Sequence, residues 1–568
     1  MASLEYWYLD SLSRFRDERA GVSDLASRAP WLDIKGYRFD ANCVVVDFDV
    51  DVGHRIYEAE MRYPTTYPHS PPVVRPRDKD ARWSNHQFGA GGDLCLEYRP
   101  DNWSPDIMGW QVMESAYRLL HGERPSADEL QQVASAHRIT LGQKLRTSFS
   151  RFPLTMTFHA WLNALPAGSN ARGTSIAVLS EQNIVRLVVD LELDGVAWKD
   201  AEVPASLRAE CLELPAFVCR LRDDEAFPSV ESYARFADEA ANVGWKPTDR
   251  VLIAVKGTEI RAYSCYEDSV HQSTPITPSS VQARLSGDYE QLSTKRAAVV
   301  GCGSLGSKVA CMLARAGVAD FLLIDDDIFN IENIVRNELD WRDIGLHKAQ
   351  AVSNRIRRIN GQAKVTVRRQ QLAGQESPSS AENVLGGLAS CDLIIDATAG
   401  VTAGNIIAGL AASSGTNVVW AEVFAGGVGG LVARHRPGVE PPIPLMRRAI
   451  ESWFVSRGAR PALQQVQPYE ATIEGQPWIA DDADVTSIAA AATRLAIDTL
   501  LSRTPSHYPY SIYVIGLAPC EVFSSPFETY PIALPPAPSE QPQPALSVEQ
   551  AVEQVTFIQG MMAALERG

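Results

Sequence analysis

The sequence predicts a multidomain protein in which α+β domains precede a doubly wound α/β domain. Its 568 residues exceed what one hydrophobic core usually organises, so two to four domains are expected. The first part groups its strands before a closing helix, whereas strands and helices alternate from about residue 290. We predict domains at 1–145, 146–285 and 286–535, followed by a proline-rich segment and a helix over 536–568.

Composition narrows the classes of function and partner. The net charge of −16 repels a phosphate backbone, so no nucleic-acid partner is predicted. No run of eighteen apolar residues appears, and the N-terminus lacks the layout of a secretory signal, so no membrane partner is predicted. The nine cysteines contain no C-x-x-C pair, which argues against a four-cysteine zinc site. The expected location is the reducing cytoplasm.

The N-terminal region, residues 1–145, combines helices and strands. An apolar stripe in MASLEYWYLDSLSRFRDERAG predicts a helix, and the alternation in YRFDANCVVVDFDVDVGHRIYEAEMRYP predicts strands. A proline-dense loop, the Cys95 segment and the helical stretch MGWQVMESAYRLLHGE follow. The central region, 146–285, contains pairs of predicted strands and no catalytic constellation, so we interpret it as a linker or scaffold domain.

A glycine turn marks the start of the C-terminal region. Gly301, Gly303 and Gly306 form G-x-G-x-x-G where the predicted strand KRAAVVGCG runs into the predicted helix SLGSKVACMLARAG, which Gly317 ends. Such glycines allow a tight turn, close approach of backbone to phosphate and close helix packing, while the helix N-terminus attracts phosphate. The acids Asp325 and Asp327 end the next strand, where a carboxylate can bind ribose. This pattern predicts a Rossmann-like nucleotide site.

The residues that follow favour a nucleoside triphosphate over a nicotinamide dinucleotide. Asn333, Arg336 and Lys348 come soon after the acids, and cations beside a phosphate-binding turn suit ATP. Asp396 lies near the polar tip of the predicted strand CDLIIDATAG, at the edge of the sheet where a carboxylate can hold Mg²⁺. ATP and Mg²⁺ are therefore the predicted cofactors, with Asp396 as the metal ligand.

In order and spacing, these motifs resemble the adenylation domain of ubiquitin-activating enzymes and their sulfur-carrier relatives, the ThiF and MoeB family. The resemblance covers roughly residues 284–425. It implies adenylation of the C-terminal carboxylate of a small protein, with Asp327 at the ribose and Asn333, Arg336 and Lys348 at the phosphates. It also implies a homodimer through this domain, in which Arg284 reaches the partner. The family's second acid in D-x-x-D is Ala399 here.

The Cys95 segment carries a second resemblance. Over roughly residues 30–125, four segments resemble the motifs of ubiquitin-conjugating enzymes in order and spacing: YPHSPP, SNHQF, Leu94-Cys95-Leu96 and Trp103-Ser-Pro. This likeness implies that Cys95 is a thioester-forming nucleophile. The alternative is that Cys95 is a buried structural thiol. The family's His-Pro-Asn is absent, and Asn85 and His86 are the candidates to replace its asparagine.

If the acyl group passes from the adenylate to Cys95 through a thioester relay, a second cysteine is required near the adenylate. Cys302 and Cys311 belong to the glycine turn and its helix, and Cys391 begins a core strand, which leaves Cys520 as the candidate. The combined architecture resembles a bacterial fusion protein of CBASS anti-phage operons. That likeness implies activation of a cGAS/DncV-like nucleotidyltransferase (CD-NTase), or a ubiquitin-like protein with a C-terminal glycine, and its conjugation to target amines. A sulfur-carrier adenylyltransferase and an inactive nucleotide-binding scaffold are the alternatives.

Overall fold

The computed structural model describes the chain in twelve stretches. These are residues 6–88, 91–124, 140–146, 148–180, 182–278, 285–372, 374–398, 400–459, 472–473, 476–477, 479–535 and 547–565. The chain divides into two compact units, Met1–Thr147 and Ser148–Gly568. Among the helices of the described stretches, none is both long and apolar enough to cross a lipid bilayer. The domain boundaries expected from the sequence stay predictions.

The first unit packs helices against an antiparallel meander. Its helices are α1 (Trp7–Asp10), α2 (Leu12–Arg28), α3 (Gly109–Glu123) and α4 (Leu141–Lys144). Its strands are β1 (Leu32–Asp40), β2 (Cys43–Asp51), β3 (Ile56–Tyr63) and β4 (Val73–Pro76), paired in that order, and a hairpin of β5 (Gln87–Phe88) and β6 (Asp93–Leu94). Buried side chains of α2, the central strands and α3 form one core that includes Leu94 and Leu96. Cys95 is thus anchored by apolar neighbours on both sides.

The second unit begins with a closed sheet. Its strands are β7 (Ser150–Pro153), β8 (Asn170–Leu179), β9 (Ile184–Leu193), β10 (Val196–Lys199), β11 (Leu212–Arg220), β12 (Val251–Lys256), β13 (Glu259–Cys265) and β14 (Val270–Ile276). The order is β10-β9-β7-β14-β13-β12-β11-β8, and β8 also pairs with β9, which closes a barrel. Its helices are α5 (Met156–Ala164), α6 (Ala205–Arg208) and α7 (Tyr233–Asn242).

A second eight-stranded sheet carries the glycine turn. Its strands are β15 (Arg296–Val300), β16 (Asp320–Ile324), β17 (Lys364–Arg368), β18 (Leu393–Asp396), β19 (Asn417–Val423), β20 (Gly429–His435), β23 (Ile512–Gly516) and β24 (Thr529–Pro531). A short hairpin consists of β21 (Thr472–Ile473) and β22 (Gln476–Pro477). The helices are α8 (Ser304–Ala316), α9 (Lys348–Ile359), α10 (Pro378–Ala389), α11 (Val401–Ser414), α12 (Ile443–Ser456), α13 (Asp482–Leu500) and α14 (Val548–Leu565). Short 3-10 helices lie at Gly287–Thr294, Ile331–Asn333, Trp341–Asp343 and Ala425–Gly427.

The strand order places the predicted site residues at one edge. The order is β17-β16-β15-β18-β19-β20-β23-β24, and the first five of these strands run parallel. Two antiparallel steps, from β19 to β20 and from β20 to β23, return β23 to the direction of β15. The loops after β15, β16, β18 and β23 therefore emerge at the same carboxyl edge, where α/β sheets bind ligands. The predicted doubly wound α/β region is confirmed.

Candidate nucleotide site and two candidate nucleophiles

The glycine turn is built by close packing at two positions and open space at the third. Gly301 has φ +86°, and a Cβ atom there would lie 2.8 Å from the carbonyl oxygen of Ala397. A Cβ atom at Gly306 would lie 1.9 Å from the oxygen of Gly301. At Gly303, the N-cap of α8, a Cβ atom would meet nothing within 4 Å. The turn therefore has room for a phosphate at the positive end of α8.

Asp325 supports this turn from the neighbouring strand. Its carboxylate accepts the backbone N–H of Cys302 at 2.6 Å and of Asp327 at 2.9 Å. Burial raises the pKa of Asp325, although both hydrogen bonds favour the charged form. Both oxygens of the half-buried Asp325 are engaged by backbone N–H groups, so this carboxylate supports the shape of the turn. Asp327 accepts the backbone N–H of Ile328 at 2.9 Å and pairs with Lys348, but its side chain is largely exposed and can be reached by a ligand.

Asp327 and Lys348 form an ion pair beside the turn. The Lys348 ammonium donates to the Asp327 carboxylate, and the Lys348 backbone N–H donates to the backbone carbonyl oxygen of Asp327 at 2.9 Å. Burial acts to raise the pKa of Asp327, but the hydrogen bond and charge of Lys348 outweigh it and hold the pKa below its usual value. The Asp327 side chain is 62% exposed and Lys348 is 12% exposed, so the carboxylate faces solvent while the lysine stem is packed.

Asn333 and Arg336 lie in the loop between β16 and α9 that also carries Asp327. The Asn333 side-chain oxygen accepts the backbone N–H of Asn330 at 3.0 Å, which closes the short 3-10 turn there. Arg336 follows, half-buried, and its backbone N–H donates to Asn333 O at 3.2 Å. Arg284 and Ala399 lie outside the described residues. Roles for these residues in nucleotide binding stay predictions.

Asp396 ends β18 directly beside the glycine turn, in register with Val300. One of its oxygens accepts the backbone N–H of Thr398 at 3.1 Å and the Thr398 hydroxyl at 2.8 Å. The stretches that the structure describes hold no group of three or more metal-ligating side chains. Mg²⁺ is often held by one or two carboxylates together with phosphate oxygens, so a single carboxylate fits that mode. Mg²⁺ at Asp396 stays a prediction.

Sequence reasoning missed two side chains at the same edge. Arg447 on α12 brings its Nη2 atom to 4.0 Å from Asp396 Oδ2. Glu422 lies on β19, next to β18, and burial raises its pKa against the opposing charge of Arg447. Arg447 comes from the stretch RPGVEPPIPLMRRAI, which carries no motif spacing, and only the fold brings it to Asp396.

Cys520 is an exposed thiol after β23, at the same edge of the sheet. Its backbone N–H donates to Phe523 O at 2.9 Å, and the buried Phe523 ring packs over Gly516 and Gly429. The loop is therefore anchored in the core while its thiol stays accessible. Four strand steps separate β15 from β23, which places the two strand ends roughly 19 Å apart at about 4.8 Å a step.

The other cysteines of this region are poor nucleophiles. Cys302, Cys311 and Cys391 are buried. Burial raises the pKa of Cys302 well above its ordinary value, that of Cys311 to about 12 and that of Cys391 to about 11. A thiol held in its protonated form reacts slowly. Cys520 remains the candidate among them.

Cys95 occupies a partly exposed position in the first unit. Its backbone N–H donates to His86 O at 2.6 Å, and the Arg99 guanidinium donates to the sulfur at 3.1 Å. Trp103 Nε1 donates to Pro68 O at 2.7 Å, which ties the tryptophan motif to the proline loop. Arg99 was not predicted from the sequence, although it follows the cysteine by four residues. The thiolate formed in thioester chemistry would have a cationic donor in place.

A pair of glycine substitutions separates ligand space from turn architecture. Gly303→Ala fills the open space with a methyl group at φ −71°, a conformation that alanine adopts freely. We expect its melting temperature to be unchanged and its affinity for an ATP analogue to fall about 10-fold, equivalent to roughly 1.4 kcal/mol. Gly306→Ala forces its Cβ against Gly301 and should lower both quantities. Calorimetric titration and thermal unfolding measure them; unchanged affinity in Gly303→Ala would contradict the assignment.

Residues 280–503 match the model of the ThiF family. Ubiquitin-like modifier-activating enzyme 5 of Caenorhabditis briggsae is 38% identical over 80 residues, which is 14% of this chain and 18% of that protein. The sulfur carrier protein ThiS adenylyltransferase of Escherichia coli is 30% identical over 110 residues, 19% of this chain and 41% of that protein. Adenylyltransferase and sulfurtransferase UBA4 of Yarrowia lipolytica is 32% identical over 140 residues, 25% of this chain and 33% of that protein.

This chain thus spans less than half the length of each of those relatives. Among solved structures, E. coli MccB with ATP aligns at 15% identity and a TM-score of 0.34, over 44% of this chain and 67% of that chain. PaaA aligns at 20% identity and a TM-score of 0.33, over 43% and 74%. The C-terminal region of this chain contains a ThiF-family domain, homologous to ubiquitin-activating and ThiF adenylyltransferases.

Proposed function

We propose that the ThiF-family domain activates the C-terminal carboxylate of a polypeptide by adenylation with ATP. The observation that carries this proposal is the convergence at one sheet edge of an open glycine turn, the Asp327–Lys348 pair and Asp396. The helix N-terminus and Lys348 would hold the phosphates, and Asp327 the ribose. The family match at residues 280–503 supports the same chemistry.

The reaction requires little covalent chemistry from the protein. A carboxylate oxygen of the polypeptide attacks the α-phosphorus, the bond to the pyrophosphate oxygen breaks, and pyrophosphate leaves with the electron pair. Lys348 would neutralise the charge that grows on the departing phosphates, since a cation placed in advance costs no reorganisation. The nucleotide supplies the activating energy, while the chain's residues bind and orient the two anions.

A thioester relay would follow. The thiolate of Cys520 attacks the acyl carbon and AMP leaves; the thiolate of Cys95 then attacks the thioester and the Cys520 thiolate leaves. A target amine finally takes the acyl group, loses a proton and releases Cys95. Support comes from the exposure of Cys520, from the burial of Cys302, Cys311 and Cys391, and from the cationic donor on Cys95. Joining both nucleophiles in one chain raises their effective concentration.

The substrate that suits this relay is a protein tail ending in glycine. We propose a cGAS/DncV-like nucleotidyltransferase, conjugated to target amines in anti-phage defence, since the Cys95 motifs and the adenylation motifs lie in one chain. Ubiquitin-like modifier-activating enzyme 5 and the ThiS adenylyltransferase carry their protein partners in their names, which supports a protein as the substrate here. A homodimer through the adenylation domain belongs to the same proposal.

ATP–pyrophosphate exchange tests the adenylation step. The full chain is incubated with ATP, Mg²⁺, labelled pyrophosphate and a cGAS/DncV-like nucleotidyltransferase that ends in glycine. We expect label in ATP only when the polypeptide is present, and none when its terminal glycine is deleted. Exchange that is absent with this protein and with ubiquitin-like proteins ending in glycine would refute the adenylation proposal. A product released as a thiocarboxylate would instead favour the sulfur-carrier alternative.

A further inference from the structure

Arg447 is a largely buried guanidinium with its donors unused. Its side chain is 18% exposed, and its nearest carboxylate oxygen, Asp396 Oδ2, lies 4.0 Å away, beyond hydrogen-bond distance. Within the described residues, no group accepts a hydrogen bond from it, and its Nε is buried without an acceptor. A buried N–H without an acceptor costs free energy, so an acceptor that enters from outside would stabilise this guanidinium.

A structural arginine of the same sheet makes the contrast clear. Arg434 on β20 is 1% exposed and donates to Asp498 at 2.7 Å, to the Ser506 hydroxyl at 3.0 Å and to Tyr508 O at 2.9 Å. Its guanidinium is thus tied to three acceptors supplied by the fold. The Nε of Arg434 also lacks an acceptor, so the difference lies in the Nη groups: among the described residues, none accepts a hydrogen bond from those of Arg447, which has only the nearby charges of Asp396 and Glu422.

Gly404 makes the space that Arg447 occupies. It lies inside α11, where glycine weakens a helix relative to alanine. A Cβ atom there would lie 2.3 Å from Arg447 Nη2 and 3.2 Å from Asp396 Oδ2. The absent side chain therefore lets the guanidinium of α12 reach the end of β18, one strand from the glycine turn.

We propose that Arg447 binds the terminal carboxylate of the incoming polypeptide through paired N–H···O bonds. The inference rests on the proposed adenylation, in which a second anion must approach a bound triphosphate. Lys348 and the glycine turn belong to β15, β16 and α9, whereas Arg447 lies beyond Asp396, on the side of β18 and β19. The planar fork of arginine matches a carboxylate and would hold it for attack on the α-phosphorus.

A binding experiment on the full chain tests this assignment. The protein is saturated with an ATP analogue that carries a methylene group between the α and β phosphates. N-acetylglycylglycine is then titrated, with its C-terminal amide as the control, and binding is followed by ligand-observed NMR. We expect the peptide acid to bind more tightly than the amide. We expect Arg447→Gln to lower the affinity for the acid at least 10-fold without changing the affinity for the ATP analogue.

Two further variants separate recognition from structure. Arg448→Gln removes the exposed neighbouring charge on α12 and should leave binding of the acid unchanged. Gly404→Ala should lower the affinity for the peptide acid at least 3-fold. The melting temperature of this variant should stay equal or rise, because alanine favours the helix. A purely structural role of Arg447 predicts the opposite pattern, with stability lost and acid binding intact.

The possible results divide cleanly. Acid binding that is undetectable in the wild type, or equal in wild type and Arg447→Gln, overturns the inference. Weaker binding of the ATP analogue in Arg447→Gln would also overturn it, since Arg447 would then be a phosphate ligand. Binding through Arg447 without any pyrophosphate exchange would uphold this carboxylate site and refute the adenylation proposal instead.

Discussion

Replacing Lys348 with alanine is expected to slow polypeptide-dependent ATP–pyrophosphate exchange by roughly 100- to 1,000-fold. The Lys348 ammonium is held at the site by its pair with Asp327, and its stem is packed at the start of α9. It is thus positioned before the reaction to meet charge that develops on the phosphates. The loss should appear mainly in kcat, because removing a contact that strengthens in the transition state slows the step more than it weakens binding.

A matched variant and a stability measurement complete this test. Lys364→Ala removes an exposed lysine at the start of β17 and should leave exchange unchanged. Because Asp327 is solvent-exposed, loss of the ion pair itself should alter the free energy of unfolding by about 1 kcal/mol or less, and loss of the packed lysine stem adds to this. If Lys348→Ala exchanges pyrophosphate at the wild-type rate, the cation does not act on the phosphates and the site assignment is wrong.

The fold of the C-terminal region could be predicted from its sequence because short apolar strands alternate with helices that end at clear signals. Gly317 adopts φ +111° as the C-cap of α8, and the strand before the glycine turn is fully apolar over its buried length. The barrel of the central region could not be predicted from the sequence. The hairpin of β8 and β9 is local, but the barrel also depends on β8 pairing with β11 and on β7 pairing with β14 and β9, and such long-range pairing leaves no local pattern in the chain.

The residues of the candidate site could be predicted from the sequence only where they belong to motifs with a recognisable spacing. The glycine turn, Asp327 and Lys348 lie within about fifty residues of one another in the sequence, and in the fold Asp327 and Lys348 form an ion pair; their roles in nucleotide binding stay predictions. Asp325 has the same spacing, but its carboxylate supports the turn through the Cys302 amide, a contact that spacing cannot reveal. Arg447 and Gly404 come from two helices that meet only in the folded protein, so no pattern along the chain joined them to Asp396.

Replacing Cys95 with alanine is expected to lower conjugation to target amines by roughly 1,000-fold or more while leaving pyrophosphate exchange unchanged. The reason is that adenylation belongs to the glycine turn, whereas Cys95 would carry the acyl group only afterwards. Arg99 donates to the sulfur, and Leu94 and Leu96 hold its backbone in the core, so the thiol is fixed where a thioester would form. Gel mobility under non-reducing conditions, with and without a thiol reductant, measures the adduct.

Serine at the same position turns the absence of product into a positive signal. A Cys95→Ser chain would retain the acyl group as an ester, which survives the reductant that cleaves the wild-type thioester. Cys520→Ser should still exchange pyrophosphate but should load no acyl group onto Cys95, which fixes the order of the two sulfurs. Cys211→Ser is the control, since Cys211 is also half-buried and belongs to neither motif. Full conjugation by Cys95→Ala would remove this residue from the relay, while loading of Cys95 in the Cys520→Ser chain would mean direct transfer from the adenylate.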